Sequence, residues 1–89
     1  MTMKELITQR LNERLAPTYL HVEDQSNQHI GHAGWRAGGE THFHLNIVSA
    51  AFEGKSRVER HRLVNEAAAE AFQRGLHALA IQARAPGEA

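Results

Sequence analysis

The side chains best suited to chemistry in this 89-residue chain are its seven histidines, because the sequence contains no cysteine. Imidazole changes charge near neutral pH and is a common metal ligand. A histidine-rich composition without thiols therefore indicates metal binding, proton chemistry or a pH-sensitive surface. It also excludes a disulfide framework and a self-contained thiolate metal site.

The histidines stand at spacings that a metal ion can use. His29 and His32 lie three residues apart in a glycine-rich stretch, whereas His42 and His44 alternate with apolar residues and share one face of a predicted strand. Two strand histidines are compatible with zinc or copper, although simple exposure to solvent explains them equally well. His77 opens a later apolar stretch, where we expect it to be partly buried, either as a ligand or as a hydrogen-bonded structural imidazole.

A second candidate site surrounds the predicted start of a helix. Gly54 permits a sharp bend, and Ser56 with Glu59 has the spacing of a capping box. The cations of this stretch are Lys55, Arg57, Arg60 and Arg62. Because the positive end of a helix dipole usually favours acidic side chains, so many cations indicate an anionic or acidic partner. A solvated basic face is the alternative.

Composition limits the class of protein. Ten basic and ten acidic residues give a formal net charge of zero, so no whole-molecule field draws the chain to nucleic acid or to a membrane. The N-terminal residues show neither a signal peptide nor a membrane span. We expect a single domain over residues 1–89, in a cytoplasmic, reducing environment. No metalloprotease, phosphate-binding-loop or nucleophile-elbow motif is present, so we do not expect an enzyme.

Hydrophobic periodicity predicts five elements. They are a helix over 3–15, strands over 19–23 and 41–49, a helix over 56–74 ended by Gly75, and a strand over 76–84. The first two strands are expected to form a hairpin, and the second helix to be a crossover that makes the third strand parallel to the second. The predicted fold is therefore α+β, a three-stranded mixed sheet with both helices on one face. The third strand is apolar on both sides, which predicts a central position in the sheet.

An ordered set of motifs gives the chain a family resemblance. It resembles the BolA-like proteins through Thr41-His42-Phe43, Ser49-x-x-Phe52-x-Gly54, Arg60-His61-Arg62 and His77-Ala78-Leu79. The resemblance covers nearly the whole chain. It implies a fold similar to a type II KH domain, in the element order predicted above. It also implies partnership with monothiol glutaredoxins, with which family members share a [2Fe-2S] cluster, and some members act as stress-response transcriptional regulators.

The resemblance also implies the ligands. The family's C-terminal ligand histidine matches His77. The second ligand lies in the loop between the first two strands, where this chain has His29 and His32 and no cysteine. His29 is preferred for its spacing from Ser26, and His32 stays open. We therefore expect a cluster partner in iron-sulfur assembly and transfer, a monomer without cofactor when alone.

Cluster chemistry fits the absence of thiols. A [2Fe-2S] cluster takes four ligands, so two imidazoles from this chain need a cysteine of the glutaredoxin and a glutathione thiol to complete the set. Because neutral imidazole is the ligand, cluster transfer is expected to depend on pH. The glycine-rich loop is expected to move its histidine while His77 stays fixed.

Two alternatives remain open at this stage. A BolA-type DNA-binding regulator would use Lys55, Arg57, Arg60 and Arg62. Phosphate contacts of that kind give weak, salt-dependent and sequence-independent affinity. Zinc binding through His42 and His44 ranks last.

Overall fold

The element order agrees with the prediction. A computed structural model of the chain describes residues 2–25 and 42–88, so His29, His32 and Thr41 lie outside the described residues. Its helices and strands are α1 (Met3–Leu15), β1 (Tyr19–Asp24), β2 (His42–Val48), α2 (Arg57–Ala67), α3 (Ala69–Gln73) and β3 (Ala78–Arg84). A single 3₁₀ turn, Ala50–Phe52, leads from β2 toward α2.

The sheet is three-stranded and mixed. β2 lies in the middle, antiparallel to β1 and parallel to β3, which confirms the predicted hairpin and crossover. The prediction that the third strand is central is wrong, because among residues 2–25 and 42–88 β3 pairs with β2 alone. Leu79 and Ile81 pack against the core, but the alternate residues Ala78 and Ala80 are exposed. Alanine is small enough to be accepted on either face, so its apolar character does not report burial.

α1 begins and ends with local signals. The Thr2 hydroxyl accepts from the Glu5 amide at 3.1 Å and the Glu5 carboxylate accepts from the Thr2 amide at 2.8 Å, a reciprocal capping box. These bonds lower the pKa of Glu5. Ala16 takes a left-handed conformation with φ of 43°, and Pro17 then prevents the helix from continuing. The bounds of α1 match the prediction.

The second predicted helix is interrupted at Ala68. Its backbone has φ of −93° and ψ of 11°, and its carbonyl accepts from the Ala71 amide at 2.9 Å, a tighter turn than the α-helix makes. The interruption shifts the helical phase. In an uninterrupted helix the apolar spacing of Val64, Ala68 and Ala71 would place Phe72 on the buried side, but Phe72 is 37% exposed. Gly75 has φ of 114°, as expected for a residue just past a helix end.

The core lies between the helices and one face of the sheet. Fully buried side chains come from α1, β2, α2 and the 3₁₀ turn; they include Ile7, Leu11, Leu45, Ile47, Phe52 and Val64. Burying such a side chain contributes about 1.5–3 kcal/mol. Both helices therefore cover the same face, as predicted. No helix among residues 2–25 and 42–88 is long and apolar enough to cross a membrane.

No helix of the described part of the chain covers the opposite face of the sheet, which we call the open face. Strand alternation and the pairing register assign its residues: Tyr19, His21, Glu23, His42, His44, Asn46, Val48, Ala78, Ala80, Gln82 and Arg84. Polar side chains predominate in this set, and none of its members is fully buried. The candidate histidine site lies at one end of this face.

Candidate functional site

Two histidines meet at one end of the open face. His42 pairs in register with Ala78, which places His77 beside it. The ring centroids are 5.8 Å apart and the rings lie at 76° to one another, an edge-to-face arrangement. His77 is exposed, contrary to the expectation of partial burial, because it precedes the first paired residue of an edge strand. His42 is half-buried.

The predicted ligand segment leaves and enters the sheet at this same end. Asp24 and Phe43 form the last pair of β1 with β2, and the Gln25 amide donates to the His42 carbonyl at 2.8 Å. Residues 26–41, which include His29 and His32, connect Gln25 to His42 in the sequence. One attachment point, His42, therefore lies next to His77, and the other, Gln25, lies on the opposite side of β2 at the same end of the sheet.

The two strand histidines, His42 and His44, have different neighbours. His42 and His44 do share the open face, as the alternation predicted. His44, however, lies between Glu23 and Ala80, whereas the aromatic neighbour of His42 is His77. Within residues 2–25 and 42–88, no group of three or more His, Cys, Asp or Glu side chains can hold a metal ion. Metal binding here would need donors from residues 26–41 or from a second molecule.

Cations gather at the other end of β3, in what we call the basic groove. It has a volume of about 530 Å³ and lies between α2 and β3. Its lining residues are Lys55, Arg57, Arg60, His61, Ile81, Gln82, Ala83 and Arg84. Three of the four predicted cations thus line one surface, whereas Arg62 is exposed on α2 outside the groove.

The start of α2 has the predicted capping box. The Ser56 hydroxyl accepts from the Glu59 amide at 3.2 Å, and the Glu59 carboxylate accepts from the Ser56 amide at 2.8 Å. These two bonds, the backbone one foremost, lower the pKa of Glu59. Ser56 and Glu59 therefore each bind a backbone amide at the start of α2. The neighbouring cations Lys55, Arg57 and Arg62 are exposed to solvent.

Arg60 is the exception among these cations, because its guanidinium is already engaged. Nε donates to the Lys55 carbonyl at 3.0 Å, and Nη1 donates to the Ala83 carbonyl at 3.3 Å. Nη1 and Nη2 also bind the two carboxylate oxygens of Glu88 at 2.6 and 2.9 Å. The Arg60 side chain is only 13% exposed. The anion that the sequence predicted for Arg60 is thus present, but it belongs to the chain itself.

The Glu88 carboxylate is strongly stabilised in its charged form. Its bond with Arg60, followed by the bond from the Ala85 amide at 3.0 Å, lowers the pKa of Glu88 from 4.5 to about 2. Glu88 in turn raises the pKa of Arg60. The sequence did not predict this pair, because Arg60 and Glu88 lie 28 positions apart in the chain. The only local signal was Pro86-Gly87 before Glu88, a pattern typical of a turn.

Arg84 is a groove residue that the sequence did not suggest, because it falls in an apolar strand pattern. Its Nη2 donates to the Asn46 side-chain oxygen at 2.9 Å across β2 and β3. Its Nε is buried and has no hydrogen-bond partner among the described residues. The guanidinium is therefore held at the boundary between the open face and the basic groove.

Comparison with known proteins decides the family. Residues 11–88 match the pattern of the BolA-like protein family. The chain belongs to this family. It is 50% identical over 86 residues to the Arabidopsis thaliana protein named SufE-like protein 1, chloroplastic/mitochondrial, a match that covers 92% of this chain and 23% of that protein. The BolA-like chain thus spans about a quarter of that relative.

A solved structure and a bacterial relative support the assignment. The BolA domain of SufE1 from Arabidopsis thaliana superposes with a TM-score of 0.88 at 46% identity, covering 100% of this chain and 98% of that one. A Vibrio cholerae protein named DNA-binding transcriptional regulator BolA is 35% identical over 79 residues, covering 89% of this chain and 71% of that protein. The resemblance inferred from the motifs is thereby confirmed, as is the α+β architecture.

Proposed function

We propose that this BolA-like protein is a non-enzymatic partner of monothiol glutaredoxins that shares a [2Fe-2S] cluster with them in iron-sulfur cluster assembly and transfer. The observation that supports the proposal most directly is the exposed imidazole of His77, at the end of the sheet where residues 26–41 are attached and in contact with one attachment point, His42. His77 would be the fixed ligand, and His29 or His32 would be the second.

The metal-binding side chains of this chain fit a cluster shared with a second protein better than a cluster held by this chain alone. The chain has no cysteine, and the described residues hold no group of three or more metal-binding side chains. A [2Fe-2S] cluster usually takes four protein ligands, and histidine replaces cysteine on one iron in Rieske centres. The chain would therefore supply imidazoles, and the partner with glutathione would supply thiolates. When bound, the cluster would supply an iron-sulfur group that can pass to a client protein.

The residues of the chain have distinct tasks in this proposal. His77 can reach a second protein because it stands at the end of an edge strand. The His42 ring, edge-to-face with His77 at a centroid distance of 5.8 Å, would limit the orientations of the His77 ring. The free protein is proposed to be a monomer without a cofactor, in a reducing compartment such as the cytoplasm.

Cluster reconstitution tests the proposal. A monothiol glutaredoxin, glutathione, iron and sulfide would be combined without oxygen, alone and with this protein, and followed by absorbance and circular dichroism. We expect a spectrum that differs from that of the glutaredoxin homodimer. His77→Ala and one of His29→Ala or His32→Ala should abolish it. His21→Ala, which removes an exposed imidazole from the far edge strand, is the matched control and should keep it. A wild-type spectrum identical to the homodimer's would refute the proposal.

The basic groove favours a second candidate function, DNA binding of the BolA regulator type. Lys55, Arg57 and Arg84 line one surface, and the Vibrio cholerae relative carries the name of a DNA-binding regulator. If these cations contact phosphate groups, the protein should bind duplex DNA without sequence preference. Losing one phosphate contact should reduce the slope of log affinity against log salt by about 0.9. Arg57→Ala should show this reduction, whereas Arg14→Ala, at the end of α1, should not. Equal slopes for the two variants would argue against the groove.

A further inference from the structure

The last described residues form a turn that directs Glu88 back onto β3. The Glu88 amide donates to the Ala85 carbonyl at 3.2 Å, which closes a four-residue turn. Pro86 and Gly87 occupy its central positions, and Gly87 has φ of 86°. Proline followed by a residue with positive φ is the pattern of a type II turn. The Glu88 carboxylate also accepts from the Ala85 amide at 3.0 Å, so the turn holds both backbone and side chain.

The turn delivers a carboxylate to the innermost cation of the basic groove. Both Glu88 oxygens bind Arg60 side by side, at 2.6 and 2.9 Å. Such a paired geometry matches a carboxylate or a phosphate equally well, because both present two oxygens to the planar guanidinium. Nε and a second hydrogen of Nη1 are held by the carbonyls of Lys55 and Ala83, so the guanidinium is already oriented toward an anion. The protein therefore contains a formed oxyanion-binding position with an internal occupant.

The surroundings of this position favour an external anion of higher charge. Lys55, Arg57 and Arg84 line the same groove and make no ion pair among the described residues. The Glu88 carboxylate neutralises Arg60 but forms no ion pair with these three cations, of which Lys55 and Arg57 are exposed and Arg84 is partly buried. A phosphate group carries more negative charge and more acceptor oxygens than a carboxylate. It can bind Arg60 and attract the neighbouring cations at once.

We infer that Arg60 is the inner position of a phosphate-binding site in the basic groove, and that Glu88 occupies this position until a phosphate displaces it. The inference rests on one premise of the second candidate function, that the groove binds anions. It goes beyond that function, because it makes phosphate binding competitive with the chain's own C-terminal turn. Binding would release residues 85–88 from Arg60.

Inorganic pyrophosphate is the probe that tests the inference, by calorimetric titration at low, constant ionic strength. Glu88→Gln keeps the shape of the side chain and removes its charge, so it should bind pyrophosphate roughly two- to fivefold more tightly than wild type, the range expected for weakening one solvent-accessible ion pair. Arg60→Ala should weaken binding, and Glu88→Gln should give no gain when combined with it. Glu66→Gln removes the same charge from an exposed part of α2 outside the groove and should bind like wild type.

Nuclear magnetic resonance of the unmodified protein gives a measurement that needs no variant. Pyrophosphate should shift the Arg60 Nε–H and Ala85 amide resonances together, because both groups lose or exchange their contact with Glu88. Equal affinities of wild type and Glu88→Gln, an equal gain in Glu66→Gln, or no binding by any of them would overturn the inference. A duplex DNA titration run in parallel decides the second candidate function separately. Absence of duplex binding with an intact pyrophosphate response would leave the inference standing and remove the DNA-binding function.

Discussion

His42, the first residue of β2, and His77, the residue before β3, have their imidazole centroids 5.8 Å apart and their rings nearly perpendicular. The register that pairs His42 with Ala78 brings them together, although 34 residues separate them in the sequence. An aromatic ring in this geometry changes the magnetic environment of its neighbour and restricts its rotation.

This contact predicts a change at His77 when His42 is replaced. His42→Ala should shift the His77 ring-proton resonances and increase the rotational freedom of that ring in the free protein. The two rings should also show a direct nuclear Overhauser effect in wild type. His44→Ala, two residues along the same strand face, is the control. If both variants shifted the His77 resonances equally, the edge-to-face contact would not be responsible.

Ser49 makes buried hydrogen bonds that we expect to stabilise the fold. Its side chain is fully buried; the hydroxyl donates to the Leu15 carbonyl at 2.5 Å and accepts from the Ala51 amide at 3.1 Å. Ser49→Ala leaves the Leu15 carbonyl without this donor, so we expect the free energy of unfolding to fall by about 1–3 kcal/mol. Urea denaturation measures this. Asn65→Ala, on the exposed side of α2, should change the value by less than about 0.5 kcal/mol. Similar values for the two variants would contradict the role of Ser49.

Leu45 and Val58 provide a matched test of the core. Leu45 is fully buried in the central strand, whereas Val58 is 60% exposed on α2. Leu45→Ala should lower the free energy of unfolding by about 2–5 kcal/mol, because it removes buried methyl groups and leaves a cavity. Val58→Ala should have an effect within about 0.5 kcal/mol. A large loss at Val58 would show that the helix face bearing it is covered in solution.

The lowered pKa of Glu88 predicts an acid dependence of stability. Its folded-state pKa is about 2 and its ordinary value is 4.5, so ionised Glu88 stabilises the fold above pH 4.5. That contribution is lost as the pH falls from about 4.5 toward 2. Glu88→Gln should therefore reduce the loss of thermal stability across this window. Glu66→Gln should retain the wild-type profile, and parallel profiles for the two variants would show that the Arg60 pair does not form in solution.

Other acids share this window and must be separated from Glu88. Arg10 lowers the pKa of Glu70 through a bond at 2.9 Å that joins α1 to α3. The capping acids Glu5 and Glu59 have lowered pKa values as well. Wild type should therefore lose stability in acid through several groups. Only the difference between Glu88→Gln and wild type reports the Arg60 contact.

Local signals in the sequence determined most of the elements. The first helix was predictable in its bounds because Pro17 and a four-residue apolar spacing act within one or two turns of chain. The capping box of Ser56 and Glu59 spans only three residues, and the alternation along β2 identifies both of its faces. The helix–strand–strand–helix–strand order follows from these patterns. The parallel pairing of β2 with β3 follows from the crossover between them.

Tertiary structure decided what depends on contacts between distant residues. Alanines on both sides of β3 carry too little side chain to report burial, so only strand pairing showed that β3 is an edge. The phase shift at Ala68 arises in a run of alanines without a proline or glycine to signal it. The contacts of His77 with His42, and of Arg60 with Glu88, join residues that lie 35 and 28 positions apart in the chain. Such contacts follow from register and turn geometry, which composition and spacing alone do not specify.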